Sequence, residues 1–518
     1  MGIGTWILIG LGGFLLLVAL YDLFQRKHAI LRNFPVIGHL RYILESVGPE
    51  LRQYIVTDND SERPFNRDER RWVYASSKKQ NNYFGFGSDN SIDLLPNYLV
   101  IKHSAFPFAG HDQTHCDPTV AIPCSKVWGA ARGRAKAFRP DTTVYISAMS
   151  FGSLSAAAVE SLNKGAAMAK CLHNTGEGSI SKHHDHGADL VWQIGTGYFG
   201  CRDAHGNFCL DELLERVERF PVRALEIKLS QGAKPGHGGV LPAEKITPEI
   251  AKIRGIPMGK DCLSPAGHSA FSNTDELLDF VEMLADATGL PVGIKSAVGD
   301  LGFWVELADM MQDGERGVDF ITIDGGEGGT GAAPLAFADH VSYPFKTAFP
   351  RVYRIFAERG LADDVVFVGS GKLGFPQTAL FAYAMGCDMV AVAREAMLSI
   401  GCIQAQRCHT GHCPAGVATQ NKWLMRGLDP TLKSARFANY VATLQSEILD
   451  LTHACGLPHP ALVTLDHFDV LDDNFSAHSA RDVFSYEPSW GLPPRHEQER
   501  IWQEAGHTTG LAERSAAE

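Results

Sequence analysis

The chain has 518 residues, 45% of them hydrophobic and 20% charged, with 47 basic against 59 acidic side chains and a formal net charge of −12. This is a globular composition, and the length suggests more than one domain, although a barrel can run past about 250 residues as one unit. Scattered basic residues offer no groove for a phosphate backbone and argue against a nucleic-acid partner, and an odd count of eleven cysteines argues against a disulfide framework and for reduced thiols in the cytosol.

Residues 1–21 carry no charge and read TWILIGLGGFLLLVALY through their apolar centre, long enough for a helix that crosses a bilayer. A cleaved signal peptide would want a basic start and a small-residue cleavage site, and neither is present. Arg26 and Lys27 follow while no basic residue precedes the run, so the positive-inside tendency leaves the rest of the chain on the cytoplasmic side. The expectation is a single-pass anchor over 1–25 in the cell inner membrane. Residues 26–140 read as a polar helical and loop extension, with DNDSERPFNRDERR as its most charged stretch. His111, His115, Cys116 and Cys124 fall close together within it and are read as a loop rather than a metal site.

From Thr143 the texture changes. Short β-branched runs alternate with helical stretches: TVYISAM, a helix from about Leu154 to Lys170, ALEIKL, a helix over TDELLDFVEMLADATG, VGIKS, a helix near 302–312, FITID, a helix near 350–359, VVFVG, a helix over PQTALFAYAMG, and MVAVA. Continuous apolar strands alternating with helices predict a parallel sheet buried on both faces. Their number and spacing predict an α/β fold with a closed TIM (β/α)8 barrel over 141–430. A C-terminal helical segment and polar tail fill 431–518, with the last stretch expected to be partly disordered.

Unusual residues gather at the predicted strand ends, where barrel active sites lie. GSGKLG (369–374) follows a strand and precedes a helix. The acid of a dinucleotide fingerprint would fall near Asp388, before the next strand, so a phosphate grip assisted by Arg394 is the better reading. DGGEGGTGAAP (324–334) allows close backbone approach to a ligand. NTGEGSIS (174–181) holds one carboxylate, Glu177, among small residues. KLSQGAKPGHGG (228–239) supplies Lys228, Gln231 and Lys234, which with Arg254 suit an anionic keto acid beside an electron-rich cofactor. HHDH (183–186) is assigned no metal, because consecutive residues rarely converge on one ion. Cys402, Cys408 and Cys413, in GCIQAQRCHTGHCPAGVATQ, are soft ligands for an iron–sulfur cluster, or for zinc with His409 or His412 as a fourth ligand.

Taken together, ISAMSFGSLS, NTGEGSIS, IGTGYFGCR, EIKLSQGAKPGHGGVLP, DGGEGGTGAAP and CHTGHCPAGVATQ resemble the FMN-binding synthase domain of glutamate synthases, in particular the short membrane-anchored bacterial forms, from about Asn33 to about Pro460. The resemblance implies a TIM barrel holding FMN, and a 3Fe-4S cluster (4Fe-4S as the alternative) on Cys402, Cys408 and Cys413. It implies that Ala148, Met149 and Ser150 line the flavin and that Lys228, Gln231 and Lys295 face its ring. Asp324, Gly325, Gly326, Gly328, Gly329 and Thr330, with Gly369, Ser370, Gly371, Ala393 and Arg394, would surround its phosphate end. Lys234 and Arg254 would bind 2-oxoglutarate, and Glu177 would stand where ammonia meets it. The implied reaction is condensation to 2-iminoglutarate, then hydride transfer from reduced FMN to give glutamate.

Two departures qualify the resemblance. A full-length enzyme starts with a glutaminase whose first residue is a nucleophilic cysteine, whereas this chain has Gly2 and no cysteine before Cys116. Ammonia is therefore expected free or from a separate glutamine-using protein, and electrons from a separate ferredoxin or NAD(P)H-dependent reductase. The second departure is GHGGVLP in place of GEGGQLP, which puts His237 and Val240 where the family has a glutamate and a keto-acid-binding glutamine. Alternatives that keep the barrel and cofactors are an enzyme acting on another 2-oxo acid or an amine, such as one transferring an N-methyl group to glutamate, and an electron-relay subunit.

Overall fold

The computed structural model describes residues 2–109 and 121–506, so His111, His115 and Cys116 lie outside the described residues. The chain forms two compact units, Met1–Arg70 and Arg71–Glu518.

The larger unit is built on eight parallel strands: β1 (Val144–Ile146), β2 (His173–Asn174), β3 (Leu190–Ile194), β4 (Val222–Lys228), β5 (Val292–Ser296), β6 (Phe320–Asp324), β7 (Val366–Ser370) and β8 (Met389–Val392). They pair in chain order, and β8 returns to β1 to close a barrel. Most strand positions are buried, as a sheet covered by helices on one face and filled on the other demands. Six strands match the apolar runs of the sequence. β2 was not anticipated, because two polar residues offer no periodicity to read. β3 was also missed, although LVWQI before Gly195 carries the apolar signal that found the others.

The barrel interior is polar at its centre and aromatic at its base. Glu226 on β4 is fully buried, and its Oε1 accepts from Asn174 Nδ2 at 2.8 Å and Gln193 Nε2 at 2.7 Å. Its Oε2 accepts from Thr322 Oγ1 at 2.8 Å. One carboxylate is thus satisfied by neutral donors from three other strands, which is how a buried charge avoids an uncompensated desolvation cost. At the strand starts, Trp128 and Phe138 form an antiparallel bridge, and the Trp128 ring lies 4.2 Å from that of Phe320, the first residue of β6. This plug closes the N-terminal end and leaves the loops at the other end to form a site.

Outside the barrel, the 25-residue helix Pro430–Ala454 packs on Ala156–Met168. An antiparallel sheet of Leu99–Ile101, Phe468–Leu471 and Ala477–Ser479 joins segments from both ends of the unit. Among the described residues, the C-terminal tail is partly helical. Arg495–Glu504 is a helix that buries Ile501 and Trp502, so its described part is anchored by apolar contact. HHDH also resolves locally: His184 Nδ1 accepts the Ser181 N–H at 3.1 Å and caps the 3-10 turn Lys182–His184.

The smaller unit starts with α1 (Ile3–Phe24), among the described residues the one helix long and apolar enough to cross a membrane. α2 (Ala29–Asn33) and α3 (Gly38–Leu51) follow. Asp22, near the end of α1, is fully buried and accepts the Val36 N–H at 2.9 Å and His39 Nε2 at 3.0 Å.

Two buried histidines make folding sensitive to acid. His173 accepts from Asn163 on Nδ1 at 3.2 Å, and burial pushes its pKa down from 6.5 to about 3. His459 is lowered to about 4, also by burial. Below pH 6.5 the unfolded chain takes up protons that the folded chain refuses, so stability falls with pH, by up to about 1.4 kcal/mol per unit for each histidine. Urea unfolding between pH 7 and 4.5 should show the midpoint falling; His173→Gln should flatten the slope.

Candidate active site

The C-terminal end of β4 supplies Lys228, whose Nζ lies 2.8 Å from Glu177 Oε1 and donates to Gln231 Oε1 at 2.8 Å. Glu177 arrives on the loop after β2. It fits because Gly195 faces it: a Cβ there would stand 2.7 Å from both Cβ and Oε2 of Glu177. A cavity opens beside the pair, lined by Thr196, Gln231, His237, Gly239 and Pro265 as well as Glu177 and Lys228.

Two more cations close in. Lys234, 5% exposed, donates from Nζ to Ala332 O at 3.1 Å. Arg254 donates to Phe151 O at 3.0 Å, sits 5.1 Å from the Phe199 ring centroid, and keeps a buried Nε with no hydrogen-bond partner. Burial pushes the Glu177 carboxyl up, but Lys228, Lys234 and Arg254 together hold it below its ordinary value. Burial, then the nearby Lys228 charge, lowers Lys234. Three cations against one carboxylate leave a surplus of positive charge that an anionic ligand would neutralise.

A chain of hydrogen bonds behind Lys228 was not foreseen. The Ala270 N–H donates to Tyr198 Oη at 3.1 Å, so the Tyr198 hydroxyl proton turns to His268 Nδ1 at 3.0 Å. His268 then carries its proton on Nε2, which donates to the Lys228 carbonyl at 2.9 Å. Burial lowers the His268 pKa and keeps the ring neutral in this role. IGTGYFGCR and SPAGH were visible in the sequence, but only the fold brings Tyr198 and His268 together.

The ends of β5 to β8 form a second cluster. Lys295 Nζ lies 3.8 Å from Asp324 Oδ2 and donates to Ser147 Oγ at 3.4 Å, beside the half-buried Ala148, Met149 and Ser150. Asp324 Oδ2 also accepts the Gly232 N–H at 2.9 Å; a Cβ on Gly232 would fall 1.8 Å from Gly325 O, so only glycine fits this crossing of loops. The amides of Gly325, Gly326 and Gly328 are spent on Ser370 O, Tyr343 O and Gly325 O. Those of Gly329, Thr330 and Gly371 carry no such bond among the described residues, and Arg394 Nη2 donates to Glu327 O close by. Glu327, the acid of this glycine loop, turns its carboxylate to the Phe345 N–H at 2.9 Å. Gly369 and Ser370 are buried at the end of β7, and Ala393 is half-buried just past β8.

The cysteine loop follows β8 and the helix Arg394–Ser399. Cys413 is buried; Cys408 is raised by burial and then by its neighbour Cys413. Lys245 Nζ donates to both Ser153 O at 2.8 Å and Cys408 O at 3.1 Å. Cys402 Sγ accepts the Gln404 N–H at 3.4 Å. His409 and His412, the candidate fourth ligands for zinc, are exposed. Among the described residues, Cys408 and Cys413 form no disulfide.

Residues 126–458 match the family model described as the conserved region in glutamate synthase. The chain belongs to the glutamate synthase family. It is 38% identical to the glutamate synthase large subunit-like protein YerD of Bacillus subtilis, over 86% of this chain and 90% of that protein. It is 36% identical to an archaeal glutamate synthase [NADPH] of Methanocaldococcus jannaschii over 61% of this chain, and there it spans 59% of the relative's length. Among solved structures, the flavin-binding domain of baker's yeast flavocytochrome b2 is similar at 13% identity and a TM-score of 0.43, covering 83% of each chain. Membership puts the chain in an oxidoreductase family with its motifs at the open end of the barrel.

His268→Leu should take the His268 donor from the Lys228 carbonyl and the Nδ1 acceptor from the Tyr198 hydroxyl proton, at a cost of about 1–3 kcal/mol. Thermal unfolding checks this, and His268→Gln, which keeps a donor, should recover most of the loss.

Proposed function

We propose that this family member makes glutamate from 2-oxoglutarate and ammonia, with FMN in the barrel mouth and an iron–sulfur cluster on the cysteine loop. The observation that carries the reading is the surplus of positive charge around Glu177: Lys228, Lys234 and Arg254 converge on one carboxylate. A dicarboxylate keto acid neutralises it, and the unpartnered Nε of Arg254 is a donor waiting for an acceptor.

In this reading Lys234 and Arg254 hold the carboxylates of the keto acid. Glu177, kept ionised by its neighbours, takes a proton from the attacking nitrogen as it adds to the carbonyl carbon. Glu177 returns that proton to the departing hydroxyl, so water leaves and the imine forms, while Lys228 and Gln231 hold Glu177 and the reacting carbon in register. FMN held in the barrel mouth would supply the hydride for reduction of the imine, and a cluster held by Cys402, Cys408 and Cys413 would supply electrons to it. The free amides of Gly329, Thr330 and Gly371 with Arg394 suit a phosphate monoester. Three cysteines spaced C-x5-C-x4-C, without the paired knuckles of structural zinc sites, suit an iron–sulfur cluster better than a single zinc ion. Electrons would come from a separate ferredoxin or NAD(P)H-dependent reductase. α1 would anchor the chain in the inner membrane with its catalytic body on the cytoplasmic side.

One observation favours a second reading, an enzyme for another 2-oxo acid. His237 stands in the cavity wall with its ring 5.4 Å from Phe337, an imidazole where the family pattern has a carboxylate.

Titrating the oxidised, FMN-loaded chain with a series of 2-oxo acids should perturb the flavin spectrum most with 2-oxoglutarate. Lys234→Ala should raise its Kd by roughly 10–100-fold while FMN stays bound; unchanged affinity would remove Lys234 from the site. Cys408→Ser, purified without oxygen, should lose iron and the broad visible absorbance yet stay yellow. Loss of the flavin as well would show that the two sites depend on each other.

A further inference from the structure

We propose that α3 is a second membrane contact, its apolar face lying in the headgroup boundary of an anionic bilayer next to the point where α1 leaves it. This rests on the reading of α1 as a membrane anchor and extends it.

Ile37, Leu40, Ile43, Leu44, Val47 and Leu51 are between 40% and 76% exposed. Steps of three and four residues gather them on one face of the helix, while Glu45 and Ser46 lie on another. A stripe of six large apolar side chains open to water is costly and marks a contact surface. The chemistry of the occupant follows from three further features.

The stripe follows the apolar helix α1 in the chain, joined to it by residues 25–37, which include α2. That connection is a pinned elbow. Val36 takes a left-handed conformation (φ 65°), rarely open to a β-branched residue, and it is held there by the bond from its N–H to Asp22. With His39 on the same carboxylate, the first turn of α3 is fastened to the last turn of α1 and stays at the depth where α1 ends. The charge is the third feature. Between residues 22 and 56, Arg26, Lys27, Arg32, Arg41 and Arg52 outnumber Asp22, Glu45 and Glu50, in a chain whose net charge is −12. A local basic excess beside an apolar stripe fits acidic lipid headgroups above acyl chains. A second copy of this acidic chain fits less well.

The test places an environment-sensitive fluorescent amino acid at Leu15, Leu44 or Ser46 of the full chain, reconstituted one copy per disc in phosphatidylcholine and phosphatidylglycerol. Brominated acyl chains should quench the probe at Leu15 and at Leu44 several-fold more than at Ser46, and aqueous iodide should quench Ser46 most. Quenching at Leu15 with equal responses at Leu44 and Ser46 would overturn the in-plane helix and leave the anchor standing. Shielding of Leu44 from iodide that arises only in discs holding two copies would also overturn it, by assigning the face to chain–chain contact. No lipid quenching at Leu15 would remove the anchor and this proposal with it.

Discussion

The site depends on one ammonium group. Lys228 Nζ, at the last residue of a barrel strand, bridges Glu177 and Gln231, and its backbone carbonyl is held from behind by His268. Both ends of the residue are fixed, so the loop after β2 and the loop after β4 share a single geometry. Without that bridge, Glu177 would be a half-buried carboxylate facing only Lys234 and Arg254, neither of which is hydrogen-bonded to it. The charge count around this pair decides what can bind. One negative group among three positive ones repels cations and draws in an acid, and the low-dielectric surroundings strengthen that preference.

Much of this could be read before the fold was known. Apolar runs of about five residues found six strands, and the parallel, doubly covered sheet they imply is the one present. Motifs at strand ends then pointed to Glu177, Lys228, Gln231, Lys234 and Arg254, which the barrel brings to one mouth. What escaped notice had no local signature. β2 is two residues long. Glu226 reads as a charge interrupting a strand, and only closure of the barrel supplies Asn174, Gln193 and Thr322 as its donors. Tyr198 and His268 are 70 residues apart and meet through tertiary packing. The glycine loop was legible as a place for close backbone approach. Which of its amides are already engaged was not, because their acceptors, Ser370 O and Tyr343 O, lie on other segments.

The smaller unit follows the same logic at a different scale. Its apolar pattern was visible, but the turn that orients α3 rests on a carboxylate, Asp22, that a hydropathy profile reads only as the end of a helix.

The cysteine loop and the wall of the pocket are laced together. Lys245 spans Ser153 O and Cys408 O, and Gln420 Nε2 donates to Gly152 O and Leu154 O. The same wall carries Phe151 O, the acceptor that steadies Arg254. Damage to the cysteine loop would therefore travel further than the loop itself. As it slackened, the guanidinium would lose its brace, and a pocket dressed for acids would hold them poorly.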